Sequence, residues 1–189
     1  MSVDLPLHRL HLDLWDRPAD QDDRTMLARC VGPTLDVGCG PGRLTAALAE
    51  QGVVVLGIDV VHGAVDRTRD RGGAALRRDV FDTVPGEGRW ETALLADGNV
   101  GIGGDPVALL RRLREVLEPR GRVVAEVAAP GTPHVDDWAT LECGGEQHVI
   151  RWSVVGVEDI DRVAGAAGFA VIERVQVGER WCVVLEEPA

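Results

Sequence analysis

Leu35, Asp36, Val37, Gly38, Cys39, Gly40, Pro41 and Gly42 end an apolar run in a loop with glycine at every second position. A helical pattern follows at once, with Leu44, Ala47 and Leu48 on one face. The order is strand, tight turn, helix N-terminus. Such a turn is expected to offer main-chain N–H groups to a ligand with no Cβ in the way. Three alternating glycines exceed what a βα turn needs, so the loop is read as a ligand contact.

The chain downstream alternates in the same way. Strands are predicted at 34–37, 53–58, 74–77, 91–96 and 122–127. Residues 53–58 form a continuous run of the kind buried on both faces of a parallel sheet. Helices are predicted at 42–50, stopped by Gly52, and at 63–71, stopped by Gly72 and Gly73. Asp105 followed by Pro106 is an N-cap and N1 pair. The helix it opens carries Leu109, Leu110, Leu113 and Leu117 and ends at Pro119. The tail changes character. Strands at 140–143 and 148–154 flank Gly144-Gly145 as a hairpin, a helix fits 157–167, and strands at 169–177 and 180–185 form a second hairpin. Residues 1–33 are polar and acidic, with a short helix at 22–30 capped by Asp20 or Asp22. Five alternating βα units closed by an antiparallel hairpin make an α/β fold in one domain.

The 189 residues suffice for one full core. No apolar run approaches the about 18 residues of a membrane span, and the N-terminus lacks a signal-peptide layout. Cys30, Cys39, Cys143 and Cys182 form no CxxC, which suggests neither zinc nor a disulfide framework, and a cytoplasmic home is expected. The net charge of −11 would repel a phosphate backbone, so nucleic acid is not expected as a partner. Arg67, Arg69, Arg71, Arg77 and Arg78 cluster, but Asp66, Asp70 and Asp79 interleave with them, which reads as a solvated helix face.

Three ligand classes use a glycine loop of this kind. A phosphate loop needs Lys and Ser or Thr after its last glycine, where this chain has Arg43 and Leu44. A dinucleotide fold wants a further glycine where Arg43 stands, and Pro41 removes an N–H a pyrophosphate would use. The third class is a sulfonium nucleoside. Over residues 30 to 189 the chain resembles the class I S-adenosylmethionine-dependent methyltransferases. The resemblance rests on the octet 35–42, Asp59 about 20 residues past the glycines, Asp79-Val80, the segment 90–99, and the turn Leu117 to Gly121.

That resemblance implies a Rossmann-like three-layer αβα sandwich, with a seven-stranded, mostly parallel sheet and an antiparallel C-terminal hairpin strand. It implies S-adenosylmethionine as cofactor, and the acidic balance points to a small molecule or a protein side chain as acceptor. Asp36, Gly38, Cys39, Gly40 and Gly42 would hold its methionine end. Asp59, with Val60, would take the ribose diol, for which a carboxylate has two acceptor oxygens. Asp79 would accept from the adenine amine with Val80 beside the ring. Residues 1–33 form an N-terminal cap segment, 34–128 the cofactor core, and 129–155 a substrate-side insert. A non-catalytic sulfonium-binding module and a nicotinamide-dependent oxidoreductase stand as alternatives.

Each residue also has a plainer reading. Asp36 can cap the turn backbone, Cys39 is a small loop residue rather than a nucleophile, and Asp59 can be a helix cap. Asp97 closes the strand at 91–96, where it can face the cofactor, act as a base or brace the loop; Asn99 shares that status. His134 and His148 are candidate bases in the 129–155 region, with surface histidine as the plainer reading. His8 and His11 share helical spacing without a third ligand, so no metal site is expected. Trp15 and Arg17 lie where the family lays a segment over the cofactor. Trp138 and Trp152 line the pocket or pack the core.

Overall fold

A computed structural model describes residues 8–11, 15–143 and 146–188. Four parallel strands follow one another as β2 (Thr34–Val37), β3 (Val55–Asp59), β4 (Ala75–Arg77) and β5 (Trp90–Leu95). They are joined by α2 (Arg43–Glu50), α3 (His62–Asp70) and the loop after β4; α4 (Pro106–Val116) leads on to β6 (Leu117–Val127). After α5 (Ile160–Ala167), β9 (Ala170–Val177) and β10 (Arg180–Glu186) form the terminal hairpin. The sheet order is β4-β3-β2-β5-β6-β10-β9, with β10 antiparallel to both neighbours. The expected seven-stranded architecture is therefore present.

Two cores arise because side chains on a strand alternate between faces. Ala93 and Leu95 of β5, Val123 and Ala125 of β6, and Val183 and Leu185 of β10 face α4 and α5. Leu94, Val124 and Val184, each one residue over, face α2 and α1 (Gln21–Leu27). A one-residue slip in any of these strands would exchange the two faces. On α4, Leu109, Leu110, Leu113 and Val116 are all fully buried, each worth roughly 1.5–3 kcal/mol of apolar transfer. Asp105 caps this helix through Ala108 N, and Asp20 rather than Asp22 caps α1 in a reciprocal box with Asp23.

Differences from the sequence expectation are local. Helix α4 stops at Val116, because Leu117 already pairs with Trp90 on β5 before the chain turns at Arg120, φ 75°. His8–His11 is a strand, β1, and not a helical turn. It pairs in parallel with β7 (Val135–Cys143), which pairs antiparallel with β8 (Glu146–Val154). This second, three-stranded sheet packs on the start of α3 through Leu141 and Ile150, which meet Val60, Val61 and Ala64. The hairpin strands run longer than expected because Val135–Ala139 pairs with Ile150–Val154. The turn at Gly144-Gly145 lies outside the described residues. The arginines of α3 behave as a solvated face: Arg67 and Arg71 pair with Asp16, and Arg69 with Asp66.

Gly42 caps α2 at φ 84°, and a Cβ there would lie 2.6 Å from the Cα of Thr68. Both the left-handed backbone and the contact with α3 demand glycine. Gly42→Ala is expected to lower the unfolding free energy by about 2 kcal/mol or more, read as a shift of the urea midpoint at constant slope. A midpoint within error of the parent would show that α3 simply moves aside.

Candidate functional site

Strand order reverses between β2 and β5, and the crevice of an open α/β sheet opens at such a point, beyond the carboxyl ends of the strands. A cavity of about 290 Å³ lies there. Its floor is the glycine loop after β2. The ends of β3, β4 and β5 supply Asp59 with Val60, Asp79 with Val80 and Phe81, and Ala96 with Asp97. Trp15, Leu141, Ile150 and Trp152 cover it. Among the residues named above as cofactor contacts, all but Gly42 line this cavity; Gly42 lies against α3.

The loop corrects one expectation. Its N–H groups do not await a ligand. Gly38 N and Cys39 N donate to Ile58 O at 2.8 and 3.0 Å, and Gly42 N donates to Cys39 O at 3.0 Å. Gly40 N donates to Asp59 Oδ2 at 2.9 Å, and Pro41 has no N–H. An Asp59 carboxylate thus occupies the donor that a pyrophosphate would seek. What the glycines supply is clearance and the left-handed turns at Gly38, Gly40 and Gly42, φ 72°, 54° and 84°. Asn99 holds the loop from above, its Nδ2 donating to Val37 O and Gly38 O at 2.9 Å each. A Cβ on Gly38 would sit 2.8 Å from that nitrogen.

Three carboxylates surround the loop. Asp59 Oδ1 accepts from Val61 N at 2.9 Å, so both oxygens are oriented by backbone while the residue lines the cavity. Burial raises its pKa, against the pull of the Val61 and Gly40 bonds. Asp36 accepts from Thr45 Oγ1 at 2.6 Å. Burial, reinforced by the charges of Asp97 and Asp59, pushes its carboxyl up to about 6. Burial also raises Asp97, against the opposing charge of Arg43. These groups disfavour each other's charge, which suits the site to a cation. The Cys39 thiol is buried and pushed well above its usual range, which suits packing and not nucleophilic attack.

Asp36 makes a pH prediction with a definite sign. Its folded pKa of about 6 exceeds the ordinary 3.8, so ionisation costs stability above pH 6 and that cost disappears as pH falls to 3.8. Between pH 8 and pH 4 the wild type should gain up to about 3 kcal/mol relative to Asp36→Asn. Urea unfolding of both proteins at the two pH values checks this; parallel pH profiles would count against it.

Asp97 is braced and not poised as a free base. It sits at φ 52°, just beyond β5, its N donates to Glu126 Oε2 at 2.8 Å, and both carboxylate oxygens accept from Arg43 Nη2 at 3.0 and 3.1 Å. Arg43 also donates to Asp23 at 3.0 Å, and Arg180 joins Asp23 and Glu126 at 2.7 and 2.9 Å. This network under the loop was not foreseen from sequence, because its members come from five separate segments. Asp79 is exposed, and its Oδ1 accepts from Phe81 N at 3.0 Å, while Val80 beside it is buried. Arg17 pairs with Asp23 and does not reach the cavity lining. Trp138 lines the cavity with the Arg151 guanidinium 5.4 Å above its ring.

The two candidate histidines are not brought into the cavity lining. His134 lies before β7 with Nε2 3.3 Å from Asp136 Oδ2. His148 stands opposite Leu141 on β8, close enough for its charge to pull down the Asp59 pKa, yet outside the lining. A candidate position inside a substrate-side hairpin does not say which way a side chain is carried. Phe81, Ile102 and Arg151 line the cavity and were not singled out from sequence. Phe81 alone had a signal, as the residue after Asp79-Val80.

The sequence profile of a methyltransferase domain matches residues 15–174. An uncharacterised protein of Mycobacterium tuberculosis is 28% identical over 151 residues, covering 80% of this chain and 51% of the relative. The ubiquinone biosynthesis O-methyltransferase of Azorhizobium caulinodans is 27% identical over 153 residues, covering 74% and 59%. The chain spans about half the length of the curated relatives it matches. Among solved structures, a methyltransferase from Bacteroides fragilis in complex with S-adenosylhomocysteine superposes with a TM-score of 0.77 at 23% identity, covering 94% and 81%. The 1,6-didemethyltoxoflavin-N1-methyltransferase of Burkholderia thailandensis gives 0.69 at 20% identity, covering 94% and 82%. With the profile spanning most of its length, this chain belongs to the class I S-adenosylmethionine-dependent methyltransferase family.

Proposed function

We propose that this protein methylates a small molecule, with S-adenosylmethionine as donor. The observation that carries the reading is the Asp59 carboxylate seated on Gly40 N. With Asp36 and Asp97 it makes an acidic floor that fits a cationic nucleoside and opposes a pyrophosphate. The ribose hydroxyls would meet the Asp59 oxygens, whose backbone bonds leave lone pairs over. Adenine would lie on Val80 with its amine toward Asp79. The methionine end would lie over Gly38 to Gly40, beside Asp97. When bound, the cofactor supplies an activated methyl on a cationic sulfonium that leaves as a neutral thioether.

The chain's own part is orientation and exclusion of water. Asn99, Asp59 and Thr68 hold the loop in one shape. The β7–β8 hairpin and Trp15 cover the cavity, so the acceptor meets the donor in a dry, fixed geometry. Asp97, clamped by Arg43, positions the floor. Residues 129–155 serve as the acceptor-side insert and 1–33 as the cap, within one domain. The thiols of Cys30, Cys39 and Cys182 are free, which fits the cytoplasm. Among the described residues no helix is long and apolar enough to cross a membrane. Net charge speaks against nucleic acid as acceptor.

Calorimetry with S-adenosylhomocysteine and with NAD tests the donor site: the first should bind at one site per chain and the second should not. Binding of NAD alone would overturn the reading. Transfer of labelled methyl from S-adenosylmethionine into a small-molecule extract tests turnover. Tight cofactor binding with no labelled product would leave a sulfonium-binding module in its place.

A further inference from the structure

We propose that Glu126, locked by Arg180, is a positioning residue for the amino-acid end of the cofactor. The inference rests on the cofactor reading above, which puts that end over Gly38 to Gly40 and beside Asp97. Neither Glu126 nor Arg180 lines the cofactor cavity. Both act through a turn whose side chains do.

The turn runs from Ala96 to Asn99. Asn99 N donates to Ala96 O at 2.9 Å, and Asp97 and Gly98 between them sit at φ 52° and 80°. Positive φ at both central residues is the type I′ geometry, for which Asp-Gly is a preferred pair. Gly98 takes it freely, but a residue with a side chain keeps it only where its surroundings fix it. Among the described residues, Arg120 is the only other non-glycine at positive φ. The turn presents one edge of the cavity floor: the Asp97 carboxylate, and the Asn99 amide that holds Val37 O and Gly38 O.

Glu126 fixes this turn. Pairing of β5 with β6 ends at Leu95 and Ala125. Glu126 is the next residue of β6, and its side chain takes over where the backbone ladder stops: Oε2 accepts from Asp97 N at 2.8 Å. Arg180 on β10 grips the same carboxylate in a fork, Nε to Oε1 at 2.9 Å and Nη2 to Oε2 at 2.5 Å. Asp23 Oδ1 anchors the guanidinium in turn, 2.7 Å from Nη1. The Glu126 and Arg180 side chains are 16% and 22% exposed, so little water competes for these bonds. Arg43 thus fixes the Asp97 carboxylate and Glu126 fixes its backbone. Without Glu126, Asp97 N loses its acceptor, and the turn can leave the left-handed region and carry the Asp97 and Asn99 side chains off the loop. Asp59 and Asp79, which would take the adenosine end, are held by separate bonds to Gly40, Val61 and Phe81. The effect is therefore confined to the amino-acid end.

Calorimetry on the full chain tests this with S-adenosylhomocysteine and with 5′-methylthioadenosine, which keeps the nucleoside and lacks the amino acid. S-adenosylhomocysteine should bind the parent protein more tightly than methylthioadenosine. Glu126→Ala should weaken S-adenosylhomocysteine about tenfold and leave methylthioadenosine within about twofold. Unchanged methylthioadenosine binding also shows that the variant folds. Arg180→Lys keeps the charge but loses the fork, and it should show the same selective loss at about threefold, which carries the test if Glu126→Ala does not fold. A merely structural role would weaken both ligands alike. Failure of either ligand to bind the parent strikes the cofactor reading. With both bound, three outcomes overturn the positioning role: equal affinities in the parent, equal loss of both ligands in a folded variant, or S-adenosylhomocysteine binding untouched in both variants.

Discussion

Arg43→Met is expected to lower the unfolding free energy at pH 7 by about 3–5 kcal/mol, the cost of breaking a buried ion pair by removing one partner. The Arg43 side chain is 2% exposed and that of Asp23 is 0%. Without the guanidinium, Asp23 loses one of its cations and Asp97 loses the group that engages both its oxygens. Arg17, Arg43 and Arg180 face Asp23, Asp97 and Glu126 in one network, and Arg17 also pairs with Asp20. Taking one cation from it leaves a net negative charge in a low-dielectric region.

The pH dependence of this variant has its own sign. Burial pushes the Asp23 carboxyl up, but the Arg180 hydrogen bond and the Arg43 charge outweigh it and hold it at about 2, below the ordinary 3.8. In the parent, Asp23 therefore contributes about 2 kcal/mol above pH 3.8, and this is lost as pH falls through 2. In Arg43→Met a share of the lowering influence is gone, so the penalty relative to the parent should shrink in acid. Urea unfolding at pH 7 and at pH 3, inside the window from 3.8 to about 2, measures both numbers. Asp23→Asn in the Arg43→Met background should recover part of the loss, since it removes the exposed imbalance. A loss below about 1 kcal/mol at pH 7 would mean that solvent screens the pair.

Asp59→Ala is expected to weaken S-adenosylhomocysteine binding by about 1.5–3 kcal/mol, roughly tenfold to a hundredfold or more. The structure makes the change more than a lost ligand contact. It also strips the acceptors from Gly40 N and Val61 N, both of which bond this buried carboxylate. Those N–H groups are then left without partners, so the loop that forms the cavity floor loses its shape as well. Asp59→Asn keeps one acceptor oxygen but turns an amide NH2 toward a backbone N–H, so it should bind only marginally better than alanine. Calorimetry on the folded variants decides the point. Unchanged affinity in Asp59→Ala would remove the ribose role.

The parallel sheet was legible because each of its strands carries its instruction locally. Residues 53–58 are an apolar run of the kind buried in a parallel sheet; from Val55 it forms β3, which runs on to Asp59, while Val54 ahead of it stays exposed. The glycine loop was legible for the same kind of reason: Gly38, Gly40 and Gly42 adopt positive φ, which is a property of single residues. Asp59 was legible through its spacing from that loop. By contrast, β1 is a short polar stretch with no periodicity of its own, and it becomes a strand only because β7 offers it an edge. Its register, His8 against Ala139, joins residues far apart in sequence.

The amino-acid sequence by itself determined the order of strands and helices, the turn geometry of the octet 35–42, and the acids placed at strand ends. These follow from φ preferences, side-chain period and capping, all of which act over a few residues. Tertiary structure alone decided what the groups do once assembled. It turned the loop's N–H groups inward onto Ile58 and Asp59, clamped Asp97 with Arg43, and left His134 and His148 out of the cavity lining. Hydrogen bonds, ion pairs and burial depend on distances between segments, and here the paired groups lie from 19 to 54 residues apart in the chain. The octet remains its most informative stretch, the floor of a cavity lined also by Asp59 and Asp97.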